Sequence, residues 1–177
     1  MPLLKNGDFG TDPWVEIEDD APLPAQQPVI VPLARLQRED RDRLVRRAYP
    51  LGVKLTPDDP IEAIEDWLGH LDLVALEFPK FTDGRAYSSA QILRQRYGFK
   101  GEIRAVGDVL VDQYQFMRRC GFNTFLIVEG RPMESWRKAQ VDMTLVYQAD
   151  DASYVEPGPA LSIFEARRHR RAAVAAE

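Results

Sequence analysis

The chain has one cysteine, Cys120, and two histidines, His70 and His169, in 177 residues. A lone thiol excludes a disulfide framework within the chain and any zinc or iron–sulfur site built from four cysteines. Two histidines so far apart in sequence do not make a metal constellation, so no metal site is expected. Long hydrophobic runs are also missing. The apolar stretches are of strand length, about 5–8 residues against the ~20 that span a bilayer. The start, Met1-Pro2-Leu3-Leu4-Lys5-Asn6-Gly7-Asp8, turns acidic at once instead of building an apolar signal region. A cytoplasmic protein with no membrane segment is the resulting expectation. No GxGxxG fingerprint, Walker loop or GxSxG elbow occurs. Gly98-Phe99-Lys100-Gly101 follows a predicted helix, the wrong context for a phosphate cradle. No motif indicates a cofactor, and a flavin stays open.

What is present is ordinary globular material: 45% hydrophobic and 29% charged residues, enough to bury a core without staples. The net charge of -5 argues against a nucleic-acid partner. The charge is unevenly spread. Residues 1–28 hold six acids (Asp8, Asp12, Glu16, Glu18, Asp19, Asp20) against Lys5. Positions 80–119 carry eight basic residues (Lys80, Arg85, Arg94, Arg96, Lys100, Arg104, Arg118, Arg119) against Asp83, Glu102, Asp108 and Asp112. That basic centre can attract an anionic ligand or an acidic partner. Several of these arginines otherwise read as a solvated helix surface.

Residues 1–28 read as an extended leader. Asn6-Gly7 signals a hairpin between Leu3-Leu4 and Trp14-Val15-Glu16-Ile17. Prolines at 22, 24, 28 and 32 then stiffen a surface connection. Over 29–145 short apolar runs alternate with helical periods. Strands are predicted at 29–33, 51–55, 73–78, 102–106 and 124–128. A helix over 39–48 follows the first. Asp59 caps the next, with Pro60 in its first position. Ser88 and Gln91 have the spacing of a capping box, and Gly98 stops that helix. Asp108 caps a helix over 109–120, which Gly121 ends with Phe122 making the accompanying apolar contact. A helix over 133–144 follows Pro132. The reading is an α/β fold of about five βα units on a mainly parallel sheet, either doubly wound or half-barrel-like. Residues 146–177 form a C-terminal extension with a basic, disorder-prone tail.

Parallel sheets bind ligands beyond the carboxyl ends of their strands. Three polar loops fall there: Pro79–Ser88, Gly107-Asp108 and Glu129-Gly130-Arg131. Lys80, Asp83, Arg85, Ser88, Arg104 and Asp108 are the candidate anion-binding residues, with a helix start at Ser88 and the planar fork of Arg85 as donors. A structural turn at Asp83-Gly84, with Arg85 paired to Asp83 or Asp108, is the competing reading. Alternation along the strands also puts Glu77, Glu102 and Arg104 where charges on a covered sheet must pair, either as a buried or site-lining ion cluster or as a structural pair at a sheet edge. Cys120 reads as buried and inert.

The run Phe78-Pro79-Lys80-Phe81-Thr82-Asp83-Gly84-Arg85-Ala86-Tyr87-Ser88 resembles a family signature. So do Leu93-Arg94, Arg96-Tyr97-Gly98, Gly101–Leu110, Arg118–Phe122, Asp12-Pro13-Trp14 and Val29–Leu33. On these residues the chain is identified as a member of the bacterial domain of unknown function 934, over about residues 1–145. Ala86, Ile103 and Asn123 depart from its usual glycine, leucine and aspartate. The resemblance implies an accessory role in cytoplasmic assimilatory sulfite reduction, with sulfite reductase as partner and "putative oxidoreductase" as the family's usual label. It implies no catalytic residues. The alternative is a small α/β enzyme taking a sulfur oxyanion or a phosphorylated ligand at the strand ends. A homo-oligomer pairing its open sheets is a third reading.

Overall fold

The computed structural model describes residues 2–128, 133–141, 145–146 and 161–162. The loop at 129–131 and nearly all of the C-terminal extension lie outside them. The elements are β1 (Leu3–Lys5), β2 (Asp8–Gly10), β3 (Val15–Glu16), β4 (Val29–Pro32), α1 (Leu33–Arg38), α2 (Arg41–Val45), β5 (Leu51–Leu55), a 3-10 helix (Ile61–His70), β6 (Leu73–Phe78), α3 (Arg85–Gln91), β7 (Glu102–Gly107), α4 (Tyr114–Cys120), β8 (Thr124–Leu126) and α5 (Met133–Val141). Eight strands form one sheet in the order β2-β1-β8-β7-β6-β5-β4-β3.

From β3 to β8 every strand lies parallel to its successor in sequence. Right-handed crossovers then place each connecting helix on the same side. A doubly wound sheet needs a reversal of strand order to put helices on both sides, and β3 to β8 contains none. The sheet is therefore a curled half-barrel. Its outer face packs Val29, Val31, Val53, Val74, Leu76, Phe78, Ile103, Ala105 and Phe125 against Leu36, Ile64, Trp67, Leu93, Tyr114 and Trp136 of the helical layer. The inner face has only a small apolar patch, Ile30, Leu73, Ala75 and Val106, with Trp14 and Leu126 packed on it.

The leader is woven into both ends of this sheet. Asn6 and Gly7 both have positive φ, as a two-residue hairpin turn requires. The strand they return into is Asp8–Gly10, not Trp14–Ile17 as predicted. β1 docks antiparallel on β8, while β3 pairs in parallel with β4 at the opposite edge. Both outermost strands thus come from the leader and are two or three residues long, which leaves little edge for another chain to extend.

Several predicted boundaries move for local reasons. The first strand ends at Pro32 and Leu33 opens α1, so the predicted helix 39–48 becomes two short helices broken at Glu39-Asp40, with Asp40 capping the second through the N–H of Asp42. Asp59 does not cap the following helix. Its carboxylate accepts from the N–H and Oγ1 of Thr56, and that helix winds as 3-10 from Ile61. Ser88 and Gln91 form no capping box, because α3 starts three residues earlier, at Arg85, where the Asp83 carboxylate accepts from the Arg85 N–H. Nor does Asp108 cap α4: its carboxylate accepts from the Phe81 N–H, and a 3-10 turn at Val111–Gln113 leads into the helix. The last strand of the series is trimmed to Thr124–Leu126, and α5 is described to Val141. The C-terminus of α4 is as predicted: Gly121 is left-handed, its N–H and that of Phe122 reach the Arg118 and Met117 carbonyls, and Phe122 is buried. Cys120 is buried too.

Gly107 ends β7 with φ of +91°, and a Cβ there would collide with the Phe78 carbonyl. Gly98 also has positive φ, +63°, but open space around it. Gly98→Ala should therefore cost about 1–2 kcal/mol, the conformational term alone. Gly107→Ala should cost at least about twice that, since backbone must also shift. Urea denaturation of the two variants checks the order.

Candidate functional site

Register aligns a row of residues across the inner face: Lys54 opposite Ala75, Ala75 opposite Arg104, Arg104 opposite Thr124, and Thr124 opposite Lys5. Three cations therefore stand in one layer of the half-barrel, and each is met by carboxylates. Arg104 is 1% exposed. Its fork donates to both oxygens of Asp12 at 2.7 and 3.0 Å, and its Nε donates to Glu102 at 2.9 Å. Lys5 donates to the other oxygen of Glu102 at 2.7 Å. Lys54 donates to Glu16 at 2.8 Å and stands 3.4 Å from Glu77. Desolvation works to lower the Lys54 pKa, but the hydrogen bond and charge of Glu16, then of Glu77, outweigh it and hold the ammonium above its ordinary value. The predicted cluster of Glu77, Glu102 and Arg104 is thus split. Glu102 and Arg104 pair, whereas Glu77 sits a layer further along, opposite Val106, and turns to Lys54.

Two shallow cavities flank this row. One, about 360 Å³, is lined by Lys5, Asp8, Trp14, Glu102 and Arg104 among others. The second, about 600 Å³, lies at the carboxyl ends of β4–β6 and is lined by Glu16, Glu18, Asp19, Lys54, Asp59 and Glu77 with an apolar wall of Ile17, Pro32 and Leu33. Five carboxylates against one ammonium make it an acidic recess.

The predicted strand-end residues lie elsewhere. Arg85 donates to both oxygens of Asp83, at 3.0 and 2.7 Å, and to Asp58 at 2.6 Å. These contacts hold the Asp83 carboxyl below its usual range, chiefly through the Arg85 side chain and then its N–H, and raise the guanidinium further. Asp108 ties the β7 end to the loop through the Phe81 N–H, and Gln113 donates to the Phe81 carbonyl. Lys80 is exposed in the same loop. Ser88 is exposed within α3 and provides no helix start. Arg104 does not join them: it lies four residues before Asp108 along β7, about 13 Å at the strand rise.

Sequence reasoning missed three groups. Arg94, grouped with the basic centre, is 3% exposed and donates to the carbonyls of Gly121, Phe99 and Gly101. A π turn at Ile92–Arg96 lets the consecutive Leu93 and Arg94 both face inward. Arg35, also buried, donates to the Glu18 carbonyl and holds the leader's far end. The third group is the leader's own contribution, Asp12 and Glu16. Its signal was available: Asp12, Trp14 and Glu16 recur at the strand period of two, in an acidic segment that has to meet a basic centre.

A family model described as "Bacterial protein of unknown function (DUF934)" matches residues 52–157, more than half of the chain, and the chain belongs to that family. No curated protein matches it.

The two kinds of arginine predict opposite outcomes. Arg94→Met should destabilise by about 3–5 kcal/mol, because three buried carbonyls lose a charged donor. Arg85→Met, at an exposed pair, should leave the denaturation midpoint nearly unchanged. Parallel urea titrations of the two variants check this.

Proposed function

We propose that this chain is an accessory protein of cytoplasmic assimilatory sulfite reduction, acting as an adaptor or electron-transfer helper that binds sulfite reductase. The resemblance to the family supplies the pathway. The observation that carries the accessory reading is the state of Arg85. Its planar fork, the best oxyanion donor in the 79–88 loop, is already closed by Asp83 and Asp58. An anion would have to displace two carboxylates, whereas a protein partner can dock on the charge-paired surface as it stands. One cysteine cannot hold the iron–sulfur cluster that six-electron sulfite reduction needs, so that chemistry belongs to the partner.

The alternative, an enzyme for a sulfur oxyanion or phosphorylated ligand, has less support. The larger cavity at the strand ends is lined by five carboxylates, which repel such a ligand. A flavin-dependent version of either reading makes the purified protein yellow.

Cells lacking the chain should grow on cysteine and fail on sulfate, and the tagged protein should retain sulfite reductase from sulfate-grown cells. Normal growth on sulfate, with no reductase retained, overturns the proposal. Sulfite binding by the isolated protein in calorimetry, lost in Arg85→Ala, favours the enzyme instead.

A further inference from the structure

The inner face of a half-barrel is where the missing strands of a closed barrel would stand. Here the chain covers it with its own leader. Asp12, Trp14 and Glu16 all reach the inner face: Glu16 from β3, and Asp12 from the turn before it, where its carboxylate also accepts from the Trp14 N–H at 3.1 Å. Asp12 is held by Arg104 and Glu16 by Lys54. Trp14 packs between them on the patch of Ile30, Leu73, Ala75 and Val106. Pro13 stands between Asp12 and Trp14 and fixes φ at that step. Part of the receiving surface is held by the sheet itself. Arg104 is positioned by Glu102 and Lys54 by Glu77, both on the sheet itself. The Trp14 side is also open to the cavity of about 360 Å³ beside it, so the cover does not fill the face.

We propose that this face is a receptor for a short segment in which an aromatic residue stands between two carboxylates, each two positions away, and that residues 12–16 are its resident occupant. The partner is a protein segment with this acid–x–aromatic–x–acid pattern, which takes the face when it displaces the leader. Arg104 reads one carboxylate through two parallel hydrogen bonds, Lys54 reads the other as a point charge, and the apolar patch takes the ring. The spacing of Arg104 and Lys54, two strands apart, sets the length of the segment. The inference rests on the inner face alone and is independent of the sulfite-reduction reading.

The test uses the full chain and a fluorescein-labelled peptide of residues 10–18 (Gly-Thr-Asp-Pro-Trp-Val-Glu-Ile-Glu). In the wild-type chain the tethered leader competes at an effective concentration on the order of millimolar. The receptor is therefore the triple variant D12A/W14A/E16A, with its fold checked by circular dichroism. Its affinity for the peptide, read by fluorescence anisotropy, should exceed that of the wild type at least about tenfold. A peptide with Asn and Gln at the two acidic positions should bind at least about tenfold more weakly than the native one. If the triple variant does not fold, W14A, which keeps both ion pairs, serves as receptor in the same comparison. No saturable binding to a folded receptor at millimolar peptide overturns the proposal. So does equal binding of the native and neutral peptides.

Discussion

A parallel sheet that always adds its next strand on the same side has helices on one face and nothing on the other. Parallel strands are stable only when both faces are covered. In this chain the leader is the cover, and its most deeply buried anchor is one guanidinium. Arg104 sits in the middle of β7, 1% exposed, with Asp12 on its fork and Glu102 on its Nε. The cost of burying that cation is offset by both carboxylates together, one from the sheet and one from the leader. The leader's path follows from this contact: β1 and β2 on one side of Asp12, Trp14 and β3 on the other. Backbone pairing of β1 with β8 and of β3 with β4 closes the two sheet edges.

The site also differs from the usual parallel-sheet arrangement. In a closed barrel, or at the switch point of a doubly wound sheet, the carboxyl ends of the strands form the working surface. Here the strand-end loop after β6 is stitched by Asp83, Arg85 and Asp58, and Phe81 is stitched to Asp108. Its Asp83 and Arg85 charges are spent on one another and on Asp58. The side chains arranged for recognition are the row on the inner face, where Lys5, Arg104 and Lys54 each present a donor and each already holds an acid.

How far the sequence could be read depended on the range of the interaction that decides each feature. The parallel sheet was legible because β4, β6 and β8 are short, mainly apolar runs, β5 and β7 set charged residues among apolar ones, and helical periods separate them. The end of α4 was legible because Gly121 and Phe122 act within one turn. Helix starts were misplaced where two local patterns compete: Ser88 and Gln91 have capping spacing, but Asp83 reaches the Arg85 N–H first. Asp59 and Asp108 have a capping side chain just before a helix, yet the N–H groups of Thr56 and Phe81 claim them. The charges on β7 were legible as needing partners. The partner itself was not, because Asp12 lies 92 residues away and nothing local links the two. Glu77 was drawn into that cluster by its strand parity alone, which fixes the face of the sheet but not the layer along it.

The central claim is that the Asp12–Arg104 contact holds the leader across the bare face. A double-mutant cycle of Asp12→Ala and Arg104→Met, followed by urea denaturation, measures it directly. The account predicts a coupling energy of at least about 1.5–3 kcal/mol, as for a hydrogen-bonded pair shielded from water. A coupling below about 0.5 kcal/mol, the value of an exposed ion pair, would contradict it.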